Sequence, residues 1–170
     1  LSGAVTPRNV TGMLGQKFQD IVNGVFDENG RMYLAFTGPL AINNKLVRAN
    51  VTLNGRDWMS NTGYASFLEL GNKPYGVAPA LKSCGFNCLA VNKNYLYFYD
   101  GQHLKAFDKN TGNAVGTALT IPGHKVKRQG GIYADDCDNI YVGGKGEVLS
   151  YNFNGSTFSS LGSISLGPGA

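Results

Sequence analysis

The sequence is short of most things that chemistry at a site requires. It holds two histidines, His103 and His124, far apart in the chain, and three cysteines among 170 residues. Cys/His ligands at the usual spacing are missing, which argues against a zinc centre. Three cysteines are too few for a disulfide scaffold. Cys84 and Cys88 (CGFNC) are spaced to close one small loop, leaving Cys137 single. No apolar run reaches the roughly 18 residues of a membrane helix, so no membrane span is read. The chain opens Leu1-Ser2-Gly3 with no apolar leader, and no signal peptide is legible. No window of about ten residues keeps a helical period clear of Gly, Pro and Asn, so almost no helix is expected.

What is present points to strands. Hydrophobic residues make up 42% and charged residues 15%, the balance of a globular chain rather than a disordered one. The 24 glycines lack collagen spacing and sit at turns, and the nine Tyr and nine Phe suit pleated, half-buried surfaces. Net charge is +4, with the densest basic run at His124-Lys125-Val126-Lys127-Arg128. A solvated loop after Pro122-Gly123 accounts for that run. Nucleic-acid binding would need broader basicity with aromatics interleaved, so no nucleic-acid partner is expected.

The clearest pattern is a repeat. In GGIYADDCDNIYVGGKGEVLSYNF (Gly130–Phe153), apolar alternation, an acidic turn and further alternation succeed one another. This is the signature of an antiparallel meander. The module recurs at Ile21–Phe36, across the turn Asp27-Glu28-Asn29-Gly30, with a third strand at Lys45–Val51. A possible fourth strand there is Tyr64–Leu70. It recurs again at Cys88–Tyr99, His103–Phe107 and Ala114–Leu119, while the last copy closes with Thr157–Leu166. The tyrosines after the three turns, Tyr33, Tyr97 and Tyr141, fall 64 and 44 residues apart. The shorter spacing fits a four-stranded propeller blade of about 40–50 residues. The longer one adds roughly 20 residues over Gly38–Asn44, Asn54–Gly63 and Cys84–Cys88, and in repeat proteins such insertions fall in loops, often on the binding face. The expected fold is all-β: a β-propeller segment of about three four-stranded antiparallel blades. Its divisions are 1–18 (the end of a preceding blade and a loop), 19–72, 73–123 and 124–170. Propellers close with about four to eight blades, so the segment is expected to be a fragment of a larger propeller.

GIYADDCDNIYVGG resembles bacterial propeller repeats of the NHL type, in which an acidic turn precedes Asn-Ile-Tyr-Val. LKAFDKNTGNAVG is similar to the repeat of pyrroloquinoline-quinone propellers, without their docking tryptophan. Taken over residues 19–166, the chain resembles propeller regions of large secreted Bacteroidota surface proteins, which carry a C-terminal sorting domain for type IX secretion and are often gliding-motility-associated. The resemblance implies a secreted, cell-surface location, the secretion machinery as a partner by analogy, and a protein or surface-glycan partner for adhesion or gliding.

No catalytic constellation and no cofactor motif is legible. Asp135, Asp136 and Asp138 offer hard oxygens to Ca²⁺, but the Gly and distant Glu of an EF-hand loop do not follow. A hairpin turn uses the same residues for local backbone hydrogen bonds. Gly143-Gly144-Lys145-Gly146 precedes a strand, not the helix that a phosphate loop opens. Trp58, Tyr64 and Tyr75 lie in the insertion and linker, where aromatics can stack on carbohydrate. Tyr95, Tyr97 and Tyr99 alternate on one strand face and read as core. Three functions follow: a non-catalytic interaction module; a glycoside-active or quinone-dependent propeller enzyme with its catalytic residues elsewhere; or a glycan-binding lectin.

Overall fold

In a computed structural model of the chain, residues 20–37, 45–50, 55–60, 87–124, 131–144 and 146–167 are described. They form twelve strands and, among the described residues, no helix. The first sheet holds β1 (Asp20–Phe26), β2 (Met32–Thr37), β3 (Lys45–Ala49) and β4 (Arg56–Met59). The second holds β5 (Leu89–Val91), β6 (Tyr95–Tyr99), β7 (His103–Asp108) and β8 (Ala114–Thr120). The third holds β9 (Ile132–Ala134), β10 (Asn139–Gly144), β11 (Glu147–Phe153) and β12 (Phe158–Ser165). Each is an antiparallel meander whose neighbours in space are its neighbours in sequence. Tyr33, Tyr97 and Tyr141 each sit on the second strand of a separate sheet.

One expectation shifts. The fourth strand of the first sheet is β4, paired to β3 through Arg48↔Trp58 and Val47↔Met59. Arg56-Asp57-Trp58-Met59 alternates too briefly, and with too many charges, to announce itself as a strand. The segments 38–44 and 64–70, where an insertion and the fourth strand were expected, lie outside the described residues.

Strand alternation gives every sheet two faces. On β6, Leu96 and Phe98 point one way, and Tyr95, Tyr97 and Tyr99 the other. The first set packs with Leu89 and Phe107 against Tyr33, Ala35, Leu46 and Trp58 of the first sheet. The tyrosine set packs with Leu104 and Ala106 against Ile140, Val142, Tyr151 and Phe153 of the third. Both faces of the second sheet are therefore core, and each fully buried side chain there contributes roughly 1.5–3 kcal/mol. The first strands follow one another, β1 against β5 and β5 against β9, while β8 touches β12. Sheets stacked face to face in sequence order, with their first strands adjacent, have the blade-like arrangement of a propeller.

One close approach at the outer strands requires glycine. Gly116 sits at φ 66°, where β8 bulges against β7. A Cβ there would overlap the backbone of Ser156, whose carbonyl accepts from Thr117 N–H at 2.8 Å. The bulge thus ties the second sheet to the third through its main chain.

Candidate functional site

In a meander, alternate connections lie at the same end, so the turns β1–β2, β5–β6 and β9–β10 share one end with the outer turns β3–β4, β7–β8 and β11–β12. Polar side chains concentrate at this end. Each first turn is built on an Asx residue whose side-chain oxygen accepts two backbone N–H bonds. Asp27 Oδ1 accepts from Asn29 and Arg31, both at 2.9 Å. Asn92 Oδ1 accepts from Asn94 at 2.9 Å and Tyr95 at 2.8 Å. Asp135 Oδ1 accepts from Cys137 at 2.9 Å and Asn139 at 3.0 Å. Tyr33 donates its hydroxyl to Asp27 Oδ2 at 3.1 Å, and Tyr141 repeats the contact to Asp135 at 3.3 Å. Asp138 occupies a left-handed conformation at φ 60°, at the place in its turn that Gly30 fills at φ 73°.

These turns also bond across the sheets. Lys109, in the outer turn of the second sheet, sends its ammonium to Glu28 Oε1 at 2.9 Å and to the carbonyl of Asn92 at 3.0 Å. It also lies 3.7 Å from Asp27 Oδ2. Its own carbonyl accepts from Trp58 Nε1 at 3.0 Å and Arg48 at 2.8 Å. At the next junction a carboxylate collects the donors. Asp138 accepts from Asn92 Nδ2 at 2.8 Å, Asn94 Nδ2 at 2.9 Å and the Tyr97 hydroxyl at 3.0 Å.

The electrostatics follow from these contacts. Burial pushes the Asp27 carboxyl up, but the N–H groups of Arg31 and Asn29, the Tyr33 hydroxyl and the Lys109 charge outweigh it and hold it below the ordinary range. Glu28 is lowered first by its bond to Lys109. Burial likewise opposes, and bonds from Asn139, Cys137 and Tyr141 overcome, at Asp135, which is also lowered. Burial and the neighbouring Asp27 charge push the Tyr33 hydroxyl up to about 12. Tyr97 is raised by burial and by Asp138.

Two of the three carboxylates considered for calcium are thus already surrounded by donors. Asp135 and Asp138 accept the bonds just described, and Asp136 accepts from Lys93 N–H at 3.4 Å. Among the described residues no three His, Cys, Asp or Glu side chains gather where they could hold a metal ion. Trp58, considered as a carbohydrate platform, is only 8% exposed, its ring covered by Gly112 and set 6.1 Å from the Tyr33 ring. A buried indole offers no open face, and Trp58 is corrected to a packing residue between blades. Tyr64, Tyr75, Cys84 and Lys125–Arg128 lie outside the described residues; Cys88 is buried.

The opposite end carries a pair that sequence reasoning passed over. Asp100, fully buried, accepts from the N–H groups of Gln102 and His103 through Oδ1. Its Oδ2 lies 2.9 Å from His103 Nδ1. The spacing Asp100-Gly101-Gln102-His103 was the available signal, and the pair closes the β6–β7 hairpin. Nearby, the Tyr99 hydroxyl meets His124 Nδ1, while His124 Nε2 is buried, with no hydrogen-bond partner and Glu147 3.6 Å away.

No protein-family model matches the chain, and no curated protein is significantly similar to it.

Proposed function

We propose that the chain is a non-catalytic interaction module of an exported bacterial cell-surface protein, used in adhesion or gliding and carried out by type IX secretion. The observation that carries the non-catalytic part is the use made of the polar side chains at the turn end. Asp27, Glu28, Asn92, Lys109, Asp135 and Asp138 hold hairpins or neighbouring sheets together. Groups locked in such bonds are scaffold, and binding falls to shape and loop chemistry. The propeller-like sheets and the resemblance to secreted Bacteroidota propeller regions support the remainder. No helix among the described residues is long and apolar enough to cross a membrane.

Two measurements test this reading. An antibody to the chain should label intact source cells, and surface proteolysis should remove the label. Beads coated with the folded chain should adhere to those cells better than beads coated with the denatured chain. Label confined to broken cells defeats the export reading. Turnover of a glycoside panel, or quinone-dependent dye reduction, supports the propeller-enzyme alternative instead.

A further inference from the structure

The three blades share one strand order, and two of them show what covers the face that the third leaves open. On the first blade this face carries Val25, Tyr33 and Trp58, aligned across the sheet through Val25↔Tyr33↔Arg48↔Trp58. The second blade seals it, and Tyr33 is 0% exposed. On the second blade the same face carries Ala90 and Tyr97, and the third blade seals it, again leaving the tyrosine at 0%.

On the third blade the corresponding row is Tyr133↔Tyr141↔Ser150↔Gly162, with Val148↔Ile164 beside it. Here Tyr133 is 65% and Ile164 64% exposed. The Tyr133 and Tyr141 rings lie 6.2 Å apart on the open sheet. A contiguous apolar face of this kind marks an interaction site.

The turn beside the face specifies the chemistry of its cover. Asp27-Glu28-Asn29-Gly30 and Asp135-Asp136-Cys137-Asp138 share their length to the tyrosine, their Asx bonds and their left-handed fourth residue. Both begin with two carboxylates, and of the second pair Asp136 also accepts a long 3.4 Å bond from Lys93 N–H of the preceding blade. In the first blade those carboxylates receive Lys109 from the outer hairpin turn of the covering blade. The second blade's turn, Asn92-Lys93-Asn94, lacks the acid pair and receives a carboxylate instead.

From this equivalence we infer that the open face of the third blade is the seat of a fourth blade of the same repeat. That blade lays an apolar sheet face on Tyr133, Tyr141 and Ile164. Its outer hairpin turn brings a lysine or arginine to Asp135 and Asp136. The inference rests on the fold and not on the surface-export reading, so either can fail alone.

The test compares the 170-residue chain with the same chain extended after Ala170 by a second copy of residues 87–124, the blade that carries Lys109. Hydroxyl-radical labelling of Tyr133 should fall severalfold on extension, and the melting temperature should rise. Asp136→Lys in the extended chain should restore much of the labelling. Lys109→Glu in the appended copy should then recover the protection, which a merely apolar contact would not do. Tyr133 labelled equally with and without the extension, whether or not the appended residues become ordered, overturns the inference. So does an unextended chain that sediments as a dimer dissociated by Ile164→Asp, since a second copy would then be the natural cover.

Discussion

The junction between the first and second blades and the junction between the second and third do the same mechanical work with opposite charges. At the first, a cation is delivered to an acidic turn: Lys109 sits between Glu28, Asp27 and the Asn92 carbonyl. At the second, an anion is delivered to an amide turn: Asp138 gathers Asn92, Asn94 and Tyr97. Asn92 serves both, giving its carbonyl to Lys109 and its side-chain amide to Asp138. The Asx anchor of the turn is constant, although the second turn is one residue shorter, and the sign of the side chain that meets it follows whether the turn starts Asp-Glu or Asn-Lys. A turn and the blade that covers it must therefore change together. Replacing one partner leaves a buried group unpaired, and that costs more than the pair itself contributes.

The largest effect expected from breaking this symmetry is at Asp138. Asp138→Ala strands the Tyr97 hydroxyl and one Asn92 N–H in a buried place, at about 1–3 kcal/mol each. Alanine also tolerates the left-handed backbone at φ 60° less readily than aspartate does, which adds to the loss. Urea unfolding should show a loss of about 2–6 kcal/mol from the two stranded groups. Asp138→Asn keeps an acceptor and tolerates the backbone, so it should lose clearly less. Equal losses in the two variants would mean that the bonds across the junction carry little.

At the cationic junction the loss is smaller, because Glu28 is half-exposed and solvent screens its partner. Lys109→Met should cost about 1.5–3 kcal/mol at neutral pH, the range for hydrogen bonds to charged groups. The pH dependence distinguishes the junctions more sharply. Asp27 and Glu28 have lowered pKa values in the folded chain, against ordinary values of 3.8 and 4.5. Unfolded carboxyls therefore bind protons first as pH falls. The stabilisation is complete above the ordinary values and disappears as pH drops through the lowered ones. Wild-type melting temperature should fall steeply below about pH 4. Lys109→Met should flatten that fall, since Lys109 is the leading cause at Glu28 and contributes at Asp27. Asp135 is lowered by its own turn without Lys109, so a residual acid slope should survive. A variant curve parallel to wild type over this range would show that Lys109 does not set these carboxyls.

How much of this was legible in the chain differs by level. The strands β5 to β12 could be read because Tyr95–Tyr99, Ile140–Val142 and Val148–Phe153 alternate cleanly between Asx and glycine turns. The Asp135 turn was legible for the same reason. Its carboxylate is used locally, by residues two and four positions away. Trp58 was misplaced because a lone tryptophan among Arg56, Asp57 and Met59 has no period to betray a strand, and its cover, Gly112 and the Lys109 carbonyl, is more than 50 residues distant. Lys109 to Glu28 and Asn94 to Asp138 span 81 and 44 residues. Only placing the turns in register would have hinted at them, through Gly30 and Asp138 falling at the same step.

The smallest expected effects come from one oxygen atom removed at the same place in each blade. Tyr33→Phe and Tyr97→Phe each delete a hydroxyl that donates to a carboxylate inside a sealed junction. Each should cost about 1–2 kcal/mol, near the range for a charged acceptor, with part of the loss returned because phenylalanine is easier to bury. Tyr141→Phe deletes the equivalent bond to Asp135 on the open face, at 3.3 Å and within reach of water. Solvent can replace the lost donor there, so the urea midpoint should barely move. Tyr33 and Tyr141 sit on the same strand position, donate to the first residue of their own turn and differ chiefly in whether a blade lies over them, whereas Tyr97 donates across the junction to Asp138. Urea midpoints for Tyr33→Phe and Tyr141→Phe therefore isolate the contribution of coverage to a hydroxyl–carboxylate bond. If Tyr33→Phe and Tyr141→Phe lost the same stability, exclusion of water by the neighbouring blade would not be what strengthens the sealed bond, and local turn geometry alone would explain it.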